Sequence, residues 1–210
     1  MWGKSKVAEK FWISRNEYPP VIYNFQRRYL DLGIILDHID DVESILDLGC
    51  GEGQVLLMLR ELTAIKDYYG YDLSKTFIDN LILRWGNNTP KLIAQEMNFT
   101  KFDDFPTTDM CVCMGVALYV LDDKILKDTL SNLKSNIFIF RAPCSMNDRV
   151  DINKFSKEFN ANYAAVYRTI PEYISILSDS FNIESIDRCY PDSIESKHGT
   201  KQFFFICKRR

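Results

Sequence analysis

Residues 44–53, Ser-Ile-Leu-Asp-Leu-Gly-Cys-Gly-Glu-Gly, decide the fold. A short apolar strand carrying one acid, Asp47, runs into glycines at every second position, Gly49, Gly51 and Gly53, and the apolar stretch 54–60 that follows has helical character. Glycine at alternate positions lets the backbone come into van der Waals contact with a ligand, because no Cβ intervenes. A helix starting there turns its free N–H groups and the positive end of its dipole on the same spot. The order strand, glycine turn, helix predicts a small-molecule pocket at the carboxyl end of a parallel strand. For this run alone, a tight strand-to-helix turn with no ligand is the alternative.

The spacing narrows the ligand. A dinucleotide loop, G-x-G-x-x-G, requires a glycine where this chain has Gln54. The pattern present, acid-x-Gly-x-Gly-x-Gly, resembles the S-adenosylmethionine (SAM) loop of the class I methyltransferase family. The resemblance implies that Asp47, Gly49, Cys50, Gly51 and Gly53 line a cofactor site, with S-adenosylhomocysteine (SAH) as the product. A second element agrees: Asp67-Tyr-Tyr-Gly-Tyr-Asp72 reads as a short strand ending in an acid 19 residues after Gly53. In a doubly wound sheet the acid at the tip of the second strand lies beside the ribose, and a carboxylate accepts from both ribose hydroxyls. Asp72, with Leu73 after it, is therefore the expected ribose ligand; its other reading is an N-cap for a helix beginning near Ser74.

The rest of the chain follows the same plan. Residues 90–95 look like a third strand, followed by Asn98 and Phe99. The resemblance implies an acid about where Asn98 falls, contacting the adenine amino group, and the side-chain oxygen of Asn98 offers the same acceptor. Residues 109–116 are similar to the family's fourth strand, where Met114 and Gly115 pass the methionine part of the cofactor. An amphipathic helix over 121–130, an almost wholly apolar fifth strand over 136–141, a capping box at Thr169-Ile-Pro-Glu172 opening a helix to about residue 180, and strands over 182–189 and 202–207 complete the pattern. The fold class so implied is α/β: a doubly wound, seven-stranded, mostly parallel sheet with an antiparallel last strand and an N-terminal helical cap. A single domain over 1–210 is expected, with 1–40 as cap and 41–210 as Rossmann-like core.

Composition bounds the function. Net charge is −3 over 210 residues, a weak footprint for nucleic acid, which demands a strongly basic face. No apolar run approaches the 18–20 residues of a membrane span, and the charged N-terminus does not read as a signal peptide. The six cysteines are scattered with no C-x-x-C pair; Cys111 and Cys113 share a strand face, but two ligands make no zinc site. Buried thiols in a reducing cytoplasm are the expectation, with no metal.

The acceptor side has three candidate segments, beside a search for a general base. Residues 11–30, including Tyr18 and a Pro-Pro break, suggest a helix, a turn and a second helix that form a lid or pack on the sheet. Arg141 opens the stretch after the fifth strand, and Tyr163 and Tyr167 stand one helical turn apart, followed by Arg168. Arginines there suit an anionic acceptor, because the guanidinium fork matches carboxylate or phosphate geometry; a structural ion pair is the alternative. Of the two histidines, His38 falls before the first strand, away from the cofactor, whereas His198 lies between the last two strands, where it is positioned to take a proton from an acceptor hydroxyl or to be a solvated loop residue. Methyl transfer from a sulfonium asks mainly for alignment in a water-poor pocket, and a base matters only for a hydroxyl or protonated amine. The reading is a methyltransferase acting on a small-molecule acceptor, with O-methylation of a sugar or polysaccharide precursor as its finer form. An RNA or protein methyltransferase with the same core, and a non-catalytic SAM-binding partner subunit, are the alternatives.

Overall fold

The computed structural model describes residues 2–17, 25–59, 64–86, 91–188, 190–195 and 199–210. Two helices come first, α1 (Trp2–Ile13) and α2 (Phe25–Leu36). Then strands and helices alternate: β1 (Ser44–Leu48), α3 (Gln54–Leu59), β2 (Asp67–Asp72), α4 (Lys75–Trp85), β3 (Lys91–Glu96), β4 (Met110–Met114), α5 (Asp123–Ser131) and β5 (Ile137–Ser145). The chain closes with β6 (Val150–Ser156), β7 (Ala161–Tyr167), α6 (Ile170–Leu177), β8 (Phe181–Asp187) and β9 (Thr200–Arg209).

Seven strands form one sheet in the order β3-β2-β1-β4-β5-β9-β8. The first five pair in parallel, and β9 runs antiparallel to both β5 and β8, so β8 points the same way as the first five. The chain winds outward from β1 in one direction through β2 and β3, then returns to β1's other side for β4 and β5. That reversal opens a crevice at the carboxyl ends of β1 and β4. The sheet is the one the sequence implies.

Side chains alternate across each strand, so a sheet covered by helices on both faces needs apolar residues at consecutive positions. Leu46, Cys111, Phe138 and Phe140 face α5 and α6, meeting Leu126, Leu130, Tyr173 and Leu177. Their neighbours Ile45, Met110, Val112 and Ile139 face the other way, onto Ile35, Leu56, Ile78 and Leu81 of α2, α3 and α4. The cysteines Cys50, Cys111, Cys113, Cys144 and Cys207 are buried and unpaired; Cys189 lies outside the described residues. Among the described residues no helix is long and apolar enough to cross a membrane.

Residues 161–167 correct one expectation: they form strand β7, paired antiparallel with β6, rather than a helical turn. Asn160, in the left-handed region at φ 46°, closes the turn between them. Tyr163 and Tyr167 still share a face, now because alternate strand residues do, and Tyr163 and Ala165 bury themselves against Phe11 of α1. The hairpin and α1 thus form a third small core, over the crevice side of the sheet. The capping box at Thr169 is present: its Oγ1 accepts from the Glu172 amide at 3.4 Å, and Glu172 Oε2 accepts from the Thr169 amide at 2.7 Å.

Arg168 also corrects an expectation. Its side chain is fully buried, donating to Asp123 Oδ1 at 2.8 Å and to the carbonyls of Ala117 at 3.2 Å and Val120 at 2.7 Å. It ties the turn after β4 to the start of α5 and is the structural partner, not a group turned toward an acceptor. Replacing it strands two buried carbonyls and one ion-pair partner, a loss of about 3 kcal/mol. Arg168→Met is accordingly expected to lower the urea unfolding midpoint with its slope unchanged; a midpoint equal to wild type contradicts this role.

Candidate functional site

The turn after β1 is stitched to the tip of β2. Tyr71 O accepts from the amides of Gly49 at 2.7 Å and Cys50 at 3.1 Å. Asp72 Oδ2 accepts from the Gly51 amide at 2.9 Å, and its Oδ1 from the Ser74 amide at 2.8 Å. The N-cap of α4 is Ser74, whose Oγ accepts from the Phe77 amide, so Asp72 does not serve as that cap. Its carboxylate lines the cleft, and with about four acceptor sites on its two oxygens it keeps capacity for a ligand. Burial raises its pKa, and the amides of Ser74, Gly51 and Leu73 act against that rise.

The glycines are required by the protein's own packing. Gly49 has φ +76°, and a Cβ there would sit 2.3 Å from Val116 Cγ2; at Gly53, with φ +78°, it would sit 2.4 Å from Leu81 Cδ1. The turn is therefore pressed against α4 and the β4 loop before any ligand arrives, with close approach of a ligand as an additional use of the same geometry.

Asp47 is buried, lines the cleft, and accepts from the Tyr68 hydroxyl. Burial lifts its pKa to about 7; the Tyr68 hydrogen bond opposes that rise and the Asp72 charge adds to it. The buried Asp47 and the half-buried Asp72 thus raise the cost of each other's charge, and a cation between them relieves both.

At the end of β4, Gly115 has φ +73°, and a Cβ there would lie 3.1 Å from Arg141 Nη2. Arg141 is held in place: Nη1 donates to Gln202 Oε1 at 3.2 Å, Nε lies 3.4 Å from Asp31 Oδ1, and the guanidinium sits 5.8 Å from the Tyr190 ring. Asp31, from α2, also accepts from the Tyr190 hydroxyl. Beyond this corner stands an aromatic wall. Trp12 of α1 packs edge-on to Tyr119 at 5.1 Å, and Tyr119 to Tyr163 at 6.0 Å. Burial pushes the phenols of Tyr119, Tyr163 and Tyr167 all upward, so they stay protonated at neutral pH.

These pieces line one cleft of about 1920 Å³, beyond the roughly 300–1,000 Å³ of a pocket for one small ligand, so it has room for two molecules side by side. Asp47, Gly49, Cys50, Asp72 and Leu73 line it, as do Asn98, Phe99, Met114 and Gly115; Gly51 and Gly53 sit behind this surface. Arg141, Tyr163 and Tyr167 reach the same cleft, whereas Arg168 does not. His198 and Tyr18 lie outside the described residues. His38 follows the end of α2, before β1, and does not line the cleft. Among the described residues no three His, Cys, Asp or Glu side chains gather as a metal site.

Trp12, inside the candidate segment 11–30, lines the cleft, and sequence reasoning missed Glu9, Asp31, Tyr119 and Gln202, which line it too. Two left a trace. Asp31 is an acid one helical turn before the buried Ile35, on an otherwise apolar face. Gln202 adjoins the apolar run 203–207 of β9, where a polar residue on a central strand asks for a partner.

A family model described as a methyltransferase domain matches residues 45–137, from β1 to the start of β5. Among solved structures, a SAM-dependent methyltransferase from Leishmania major is similar with a TM-score of 0.74 at 14% identity, over 97% of this chain and 82% of that one. Magnesium protoporphyrin IX methyltransferase from Synechocystis PCC 6803, with bound SAM, gives 0.66 at 13% identity over 99% and 97% of the two chains. Geranyl diphosphate C-methyltransferase from Streptomyces coelicolor A3(2), in complex with Mg2+, geranyl diphosphate and SAH, gives 0.65 at 16% identity over 94% and 85%. None of the curated proteins matches the sequence.

The raised pKa of Asp47 has a consequence for the ligand-free protein. Its folded value of about 7 lies above the ordinary 3.8, so the native state holds a proton that the unfolded state releases between those values. The resulting stability is full below the lower value and is lost as pH rises through the upper one, at up to about 1.4 kcal/mol per pH unit. Asp47→Asn is neutral throughout. Urea unfolding from about pH 5 to pH 8 is expected to show the variant gaining on wild type as pH rises; a constant difference contradicts the assignment.

Proposed function

We propose that this chain is a class I SAM-dependent methyltransferase, a reading its sheet and the family model over residues 45–137 support, and that it methylates a small, ring-bearing acceptor at a hydroxyl. The cofactor suits the residues present. Asp47 and Asp72 give one side of the cleft the negative charge that a sulfonium and an ammonium call for, and Asp72 keeps lone pairs for a ribose. Bound there, SAM supplies a methyl group activated by its own positive leaving group.

The observation that carries the acceptor reading is the wall formed by Trp12, Tyr119, Tyr163 and Tyr167, which lines the same cleft as the Gly115–Arg141 corner. Aromatic faces take a flat ring or the C–H face of a sugar. Protonated phenols donate to an acceptor oxygen and hold it in line. Arg141 lies beside the reacting end, held by Gln202 and Asp31, where it meets an anionic group on the acceptor. O-methylation of a sugar or polysaccharide precursor is the finer form of this reading, with His198 as its proposed base. The buried, unpaired thiols agree with a cytoplasmic, reducing setting. The neighbours that methylate a magnesium porphyrin and geranyl diphosphate also act on small molecules.

Nucleic acid is disfavoured by the mixed charge of the cleft lining, where Glu9, Asp122 and Glu158 stand among Lys6, Lys101 and Lys154. Methyl-labelled SAM incubated with phosphorylated sugars, nucleotide-sugars and phenols, alongside bulk RNA and protein, tests the reading. Label is expected in the small-molecule fraction, with Tyr167→Phe raising KM about tenfold, the value of one neutral hydrogen bond, and leaving SAH affinity unchanged. Label confined to RNA or protein overturns the acceptor class. Cofactor binding with no transfer to any acceptor points to the non-catalytic partner subunit.

A further inference from the structure

SAM is a linear molecule of base, ribose, sulfonium and amino acid, so fixing two of its parts on the sheet fixes a third. With the ribose at Asp72 on β2 and the sulfonium near Gly115 at the end of β4, the base falls on the far side of the ribose, over the end of β3. The chain leaves β3 there through residues 97–101.

The side-chain oxygen of Asn98 is spent in this turn: it accepts from the Thr100 amide at 3.2 Å and from Thr100 Oγ1 at 2.7 Å, which occupies both lone pairs. The side-chain amide of Asn98 donates across the cleft to Glu9 Oε1 on α1 at 3.2 Å, and Lys101 Nζ lies 3.9 Å from the same oxygen. Glu9 is half-buried and lines the cleft, and its Oε2 takes no hydrogen bond from the described residues.

We propose that Glu9 is a cofactor-binding residue whose Oε2 accepts the exocyclic amino group of adenine, while Asn98 positions Glu9 instead of touching the base. The assignment rests on the cofactor and its placement given under Proposed function. It makes α1 part of the cofactor site as well as of the acceptor wall, since Phe11 and Trp12 lie within one helical turn of Glu9. One helix then reads both ligands. It also predicts base selectivity, because hypoxanthine carries a carbonyl oxygen where adenine carries the amino group, and two acceptors repel.

Calorimetry of the full chain with SAH and with S-inosylhomocysteine tests this, using wild type, Glu9→Gln and Glu9→Ala. Wild type is expected to bind SAH at least about thirtyfold more tightly than the inosyl analogue. Glutamine both accepts and donates, so Glu9→Gln is expected to keep SAH within about threefold and to gain about tenfold for the inosyl analogue. Glu9→Ala is expected to lose about tenfold for SAH and most of the discrimination. A purely structural Glu9 weakens both ligands in equal proportion, and that result overturns the proposal, as does wild-type behaviour in both variants. If wild type binds neither ligand, the cofactor assignment itself fails and this proposal falls with it.

Discussion

The site depends on the two hydrogen bonds that the Asp72 carboxylate accepts from the amides of Gly51 and Ser74. They join the turn after β1 to the turn after β2, fixing the distance between the two strand tips. The rest of the turn can then afford its unusual backbone: Gly49 and Gly53 sit at positive φ with Val116 and Leu81 filling the space a Cβ would need. The clamp keeps a half-buried charge with part of its hydrogen-bonding capacity turned toward the cleft, which is costly unless a ligand uses it.

Charge is distributed along the cleft with the same logic. The cofactor end carries Asp47 and Asp72, both raised in pKa by burial. The other end carries Arg141, balanced by Asp31, and a wall of neutral phenols. Under the proposed function, a cationic cofactor and an anionic or hydroxylated acceptor would be drawn to opposite ends of one space, each with a place where the other binds poorly. Specificity of placement in this cleft comes from repulsion as much as from contact.

Much of this was legible in the sequence because it rests on local patterns. The glycine spacing, the acid at the tip of β2, the apolar runs of the buried strands and the capping box at Thr169 each need only a few adjacent residues, and each recurs in the structure. The β6–β7 hairpin was not legible. Residues 150–156 alternate no apolar face, being mostly exposed, and the tyrosines of β7 are spaced four apart, which a helix and a strand face share. Arg168 misled for a related reason: a basic residue before a helix cap looks the same whether it meets a ligand or buried carbonyls. Glu9 left no sign, because its meaning depends on Asn98, 89 residues further along the chain. What local patterns cannot encode here is which distant side chain has already used up a neighbour's hydrogen bonds.

The central claim is that the cleft between the glycine turn and Asp72 is a SAM site. The most direct measurement is titration calorimetry of SAH into wild type and Asp72→Asn, with thermal unfolding of both proteins alongside. The account predicts saturable one-to-one binding to wild type and an affinity about 100-fold lower in the variant, the loss of one to two charge-assisted hydrogen bonds, with both proteins folded. No binding to wild type at millimolar ligand, or equal affinities in the two proteins, contradicts it.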